Sequence, residues 1–130
     1  MEKEIITSDK VRRPLGIYSN AVKVKANHLL FIKGMTARDI DNNVVGKGDI
    51  KAQTRQVLEN IKIILEAAGC TFDHVVKKTL FVIDINHSKE IHEVQAEYFK
   101  KDYPASTMVQ VSRLASEDLL IEIEVIAALD

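Results

Sequence analysis

Near the end of the chain, Ile121, Ile123 and Val125 alternate with Glu122 and Glu124. This is the period of a strand with one apolar face and one face turned to water or to a cleft. The stretch from Tyr103 to Val111 upstream reads as its companion, so the last third of the chain is expected to hold a pair of strands. Shorter apolar runs at Ile5-Ile6-Thr7, at 21–24 and at 28–32 are set off by Gly, Pro, Asn and Lys, and they predict three more. Between Asp49 and Ala68 the period changes. Apolar residues at 50, 57, 58, 61, 64, 65 and 68 keep to one face of a helix, with Asp49 as its N-cap and Gly69 just past its end. The loop from Thr36 to Gly48, rich in Asp, Asn and Gly, reads as a hairpin-like surface excursion.

The run Leu80-Phe81-Val82-Ile83 breaks the alternation, which predicts a strand over 75–84 that is buried on both faces. A second helix is expected from about Ser88 to Lys101, with Ile91, Val94 and Tyr98 on its inner side. This order of elements gives an α+β class, a mixed sheet with both helices packed on one face. Two helices cover only one side of such a sheet. The two-sided strand therefore calls for a second cover, and a partner subunit is the simplest.

The length of 130 residues suits one domain over 1–130, and 46% apolar residues are enough for a core. Net charge is −1, with both signs mixed along the chain, so no basic face marks a nucleic-acid partner. Apolar runs fall well short of the ~20 residues of a membrane span. The opening Met1-Glu2-Lys3-Glu4 has no signal-peptide character, which leads us to expect a soluble cytoplasmic protein without a membrane partner. The single cysteine, Cys70, allows no internal disulfide and reads as a small half-buried turn residue. Histidines at 28, 74, 87 and 92 show no metal-ligand spacing, and no glycine-rich phosphate loop is present. By its alternation alone, Glu122 reads as a solvated strand carboxylate.

Several segments taken together resemble the RidA/YjgF family of imine and enamine deaminases. They are Gly16-Ile17-Tyr18-Ser19-Asn20-Ala21-Val22, the helix Ala52–Lys62 with Glu66-Ala67-Ala68-Gly69 closing it, Pro104-Ala105 with Ser106-Thr107, and Ile121–Ala127. The likeness runs nearly end to end. It implies a RidA/chorismate-mutase-like fold and a homotrimer whose sheets close into a barrel, with a small-molecule cleft at each subunit boundary. The activity implied is hydrolysis of an imine or enamine such as 2-aminoacrylate to a 2-keto acid and ammonia, with no metal or organic cofactor. Carried over by position, Glu122 would orient the attacking water, Tyr18 would contact the ligand, and Gly34 would let backbone approach it.

Five positions depart from the pattern that the resemblance sets: Lys33 and Met35 flank the retained Gly34 where the family has a serine and a glutamine, and three more lie further along. His92 stands where the family has an asparagine, Met108 where it has a cysteine, and Ser106 where it has the arginine that holds a substrate carboxylate. A charge-assisted arginine contact is worth ~1.5–3 kcal/mol and a serine hydroxyl about 0.5–1.5, so the change costs about tenfold in binding. Arg38, in the loop after Gly34, is the expected replacement cation, with Arg113 a weaker candidate. The same loop arginine and the Arg13-Pro14-Leu15-Gly16 opening resemble 2-aminomuconate deaminases of the family. Two readings stay open: a deaminase with an atypical cleft, or a non-catalytic trimer that binds a small ligand or a protein partner. A ribonuclease or translation-inhibitor role, described for some relatives, is disfavoured by the neutral charge and the 5% aromatic content.

Overall fold

The computed structural model describes residues 1–130. Strands β1 (Glu2–Ile6) and β2 (Ala21–Lys25) form an antiparallel pair of their own. The main sheet holds β3 (His28–Thr36), β4 (Val75–Val82), β5 (Ala105–Gln110) and β6 (Ile121–Leu129) in the order β3-β6-β4-β5. Pairs β3–β6 and β6–β4 are antiparallel, while β4 and β5 run parallel. A parallel neighbour requires a crossover, and helix α2 (Ser88–Gln95) supplies it. Helix α1 (Ile50–Ala67) links β3 to β4.

Asp49 caps α1, its Oδ1 accepting from the N–H of Ala52 at 3.0 Å, and Gly69 follows the helix with φ +76° as a C′ residue should. The buried stripe of α1 holds Ile50, Val57, Leu58, Ile61 and Leu65, but also Gln53 and Thr54. Both polar side chains are bonded where they are buried. Gln53 Nε2 donates to the carbonyls of Gly46 (3.2 Å) and Asp118 (2.7 Å), and its Oε1 accepts from the N–H of Leu120 at 2.8 Å. Thr54 Oγ1 donates to Ile50 O at 2.7 Å.

Helix α2 is shorter than its pattern suggests. After Gln95 the chain tightens into a turn, with Tyr98 N–H donating to Gln95 O, and this sends Phe99 into the core edge-on to Phe72 at 5.1 Å. The expected companions β5 and β6 do not pair with each other; β4 lies between them, parallel to β5 and antiparallel to β6.

Register partners share a face, so the two sides of the sheet can be read across it. Lys78, Leu80 and Val82 of β4 align with Val125, Ile123 and Ile121 of β6, all buried beneath the helices. The other side carries Lys77, Thr79 and Phe81 of β4, Glu122, Glu124 and Ile126 of β6, and Phe31 of β3. Here burial is partial: Phe81 is half-buried and Phe31 is 70% exposed, so the strand expected to be covered on both faces is covered fully on one. No helix is long and apolar enough to cross a membrane.

Candidate functional site

The candidate residues fall into two groups on opposite sides of the main sheet. On the open side, β3 carries an irregularity between Ile32 and Met35, after which Thr36 pairs with Glu122. The shift brings the bare backbone of Gly34 under the Glu122 side chain. A Cβ at Gly34 would lie 2.7 Å from Glu122 Cδ and 3.0 Å from its Cγ, so only glycine leaves the arm of the carboxylate in this place. Glu122 is half-buried and engaged in none of the ion pairs or side-chain hydrogen bonds of the fold. Its oxygens are thus free to accept from water or from a ligand N–H.

On the helix side, the segment before β2 is tied to the start of β5, with Ser19 N–H donating to Pro104 O at 3.0 Å and Ser19 bridging Ala105. Tyr18 therefore sits at the mouth of β5. Its hydroxyl oxygen accepts from Leu15 N–H at 3.2 Å. Gly16 packs between Tyr18 and His92: a Cβ there would meet His92 Cε1 at 2.6 Å, Nδ1 at 3.2 Å and Tyr18 Cε1 at 3.3 Å. Ser106 and Met108, both half-buried, lie on the same side of the sheet, because they align with Lys78 and Leu80. One chain thus gathers Tyr18 and His92 around Gly16, with Ser106 and Met108 on the neighbouring strand. It gathers Gly34 and Glu122 elsewhere, and the sheet separates the two groups.

Arg38 belongs to neither. Its Nη1 donates to Asn42 O at 2.9 Å, and a bridge between Arg38 and Val44 closes the loop as the predicted hairpin-like excursion. Asn60 of α1 holds the same loop by donating to the carbonyls of Thr36 and Arg38 at 3.2 and 2.8 Å. Arg113 Nε donates to the carbonyl of Leu114. No three His, Cys, Asp or Glu side chains lie together where they could hold a metal ion.

Two residues in or beside these groups were not singled out in the sequence. Gly16 opens the segment Gly16–Val22 that carries the resemblance, and its role is visible only once His92 is folded against it. Lys78 is 2% exposed beneath α2, where its Nζ donates to Gln95 Oε1 and lies 4.8 Å from the centre of the Phe99 ring. Burial lowers its pKa from 10.5 to about 7. A signal existed: Lys78, Leu80 and Val82 are spaced by two, which puts the lysine on the apolar face of its strand.

The family profile described as Endoribonuclease L-PSP matches residues 9–129. A RutC family protein of Pyrococcus horikoshii is 50% identical over 125 residues, covering 96% of this chain and 97% of its own. The crystal structure of a Rid family protein of unknown function from Yersinia pestis superposes with a TM-score of 0.92 at 32% identity, covering 99% of this chain and all of that one. That of RidA from an Antarctic Psychrobacter gives 0.72 at 35% identity, covering 97% and 99%. In sequence along nearly its whole length, and in the α+β arrangement of two helices on a mixed sheet, the chain belongs to the RidA/YjgF family.

Proposed function

We propose that the protein is a hydrolytic deaminase of a small imine or enamine intermediate, working in clefts between the subunits of a homotrimer. The observation that carries this reading is the unpaired, half-buried Glu122 carboxylate set over the bare backbone of Gly34. A carboxylate so placed can hold a water and take its proton as the oxygen attacks an imine carbon. Addition of water to the C=N bond gives a carbinolamine; Glu122 then passes the proton it took to the nitrogen, the C–N bond breaks to release ammonia, and the carboxylate takes the hydroxyl proton as the carbonyl forms. Backbone at Gly34 approaches the reacting atoms without a side chain in the way. Tyr18 and His92 offer hydrogen-bonding groups for the rest of the ligand.

The partition of these groups by the sheet supports an inter-subunit cleft. A ligand resting on Glu122 of one chain can reach a Tyr18–His92–Ser106 group only when a second copy presents it. The open face, with Phe31 and Leu29 70% and 56% exposed, is the apolar surface on which copies would join.

The second reading, a trimer that binds a ligand without turning it over, is favoured by Ser106, a neutral residue at the position where the resemblance places a cation. Ammonia release from enzymatically generated 2-imino acids and from 2-aminomuconate separates the two. Under the deaminase reading the native protein is active and Glu122→Ala removes the activity. An inert native protein that gains turnover on Ser106→Arg would establish the binding role instead.

A further inference from the structure

The most unusual side chain of the fold is the buried lysine of β4. An ammonium group has three donors and needs an acceptor or an opposite charge when it leaves water. Lys78 has one bonded acceptor, the neutral Gln95 amide oxygen, and one aromatic ring; none of the ion pairs of the chain includes it. Its charge is therefore incompletely compensated by the chain itself.

What surrounds it indicates what is missing. Lys78 is the register partner of Ser106 on β5, so the two point to the same side on adjacent strands about 4.8 Å apart. β5 is the edge strand of the sheet, and the only side chain on it opposite Lys78 is this small serine. Gln95, which holds the ammonium, lies three residues beyond His92 on α2, hence on the same helix face. The four-carbon stem of a lysine is long enough and flexible enough to carry its ammonium past a serine toward the strand edge.

We propose that Lys78 is the cation of the Tyr18–His92–Ser106 group, and that it binds the carboxylate of a small 2-oxo or 2-imino acid there. This rests on the reading of that group as half of a ligand cleft. The positive charge comes from the neighbouring strand, which explains how the chain holds an anion with a serine at 106 and with Arg38 turned into its own loop. It also makes anion binding depend on pH, as an arginine would not. The groups facing Lys78 are Ser106 from β5, Val125 from β6, Gln95 from α2 and Phe99 from the turn that follows it, all uncharged. His92 and Glu90 are the titratable groups on the inner turns of α2, and one Glu90 carboxylate oxygen is buried without a donor. Burial alone sets the lysine pKa near 7, so the protonated form is lost as pH rises through that value.

The test is calorimetric titration of the intact protein with 2-oxobutanoate at about pH 6 and about pH 8.5, either side of that pKa. We expect the native protein to bind at the lower pH and to lose about tenfold or more in affinity at the higher one, as a charge-assisted contact becomes a neutral one. Lys78→Met, an apolar chain of similar length, should lose as much at the lower pH and show no further fall. His92→Gln should retain the fall, which assigns it to the lysine. Equal affinity in Lys78→Met, no binding by the native protein, or an affinity flat across the two pH values would each overturn the proposal; the last needs no variant to fold. Ammonia release is scored separately. Binding that requires Lys78 without turnover leaves the proposal standing and removes the deaminase reading. Turnover that survives Lys78→Met does the reverse.

Discussion

Gly34 and Glu122 are coupled through a single absent methyl group. The nearest atoms to a Cβ at 34 belong to the end of a flexible side chain, not to backbone, so the fold can admit alanine by turning the carboxylate aside. Gly34→Ala should therefore melt close to the native temperature while ammonia release falls by about tenfold to a hundredfold, the effect of misplacing a catalytic group by about 1 Å. A large loss of melting temperature together with activity would mean that the position serves the strand and not the chemistry. Lys78 has the opposite character, because it costs stability in place of supporting it. Its pKa is lowered in the fold, so the unfolded chain binds more protons between about pH 7 and 10.5 and native stability rises with pH through that window. At acid pH the penalty is roughly 5 kcal/mol, an order-of-magnitude figure for a drop from 10.5 to about 7. Replacement by Met removes it. Urea unfolding at fixed protein concentration should find Lys78→Met more stable than the native chain near pH 6, with the gap closing toward pH 10. A gap that is constant with pH would show that the lysine keeps the same pKa in the folded and unfolded chains, as a solvated side chain does.

At the scale of elements, α1 is joined to the rest of the molecule by Gln53 more than by any exposed charge. One side chain satisfies the carbonyls of Gly46 and Asp118 and the N–H of Leu120, which fixes the helix to the turn that feeds β6, the strand carrying Glu122. Gln53→Ala leaves three backbone groups without their partner, each worth about 1–3 kcal/mol when buried. It should destabilise by more than ~3 kcal/mol, whereas Asp49→Ala at the N-cap should cost about 1 kcal/mol; chemical denaturation compares the two. Equal costs would mean that water replaces the Gln53 contacts. The helix itself was legible, because the spacing of 50, 57, 58, 61 and 65 is a local property, as are its cap and its terminal glycine. Gln53 was not, because a buried polar residue is marked by partners distant in sequence, here 65 and 67 residues away. The same distinction explains β5 and β6. Their strand character was plain from alternation, yet their separation by β4 is a matter of topology, which a period of two does not encode. It explains the site as well: Tyr18 and Glu122 were identifiable from motifs, whereas the pairing of Gly34 with Glu122 required a bulge in β3 and the place of Lys78 required its register with Ser106.

At the scale of the molecule, the open face of the sheet sets the last expectation. Phe31, Leu29 and Val109 are exposed there, while Ile126 and Phe81 are half-buried, and a hollow lined by Phe31, Thr79 and Ile126 is bordered by Lys33, Lys77 and Glu124. An isolated chain would leave this apolar surface in water, a loss of about 25 cal/mol for each Å² that a neighbour could cover. Mixed charges at its margin allow copies to pair lysines with glutamates across a joint, which favours assembly of the chain with itself. Phe31→Glu puts a charge at the most exposed point of the surface without touching the helix-facing core. It should convert the proposed trimer to a folded monomer, seen as a threefold drop in mass by sedimentation with the helical circular dichroism retained. Because Glu122 and the Tyr18–His92–Ser106 group lie on opposite sides of the sheet in each chain, the monomer should also lose ammonia release and 2-oxobutanoate binding together, although no residue of either group has been changed. A monomer that keeps both functions would place the whole site within one chain, and a variant that stays trimeric would move the joint to another face.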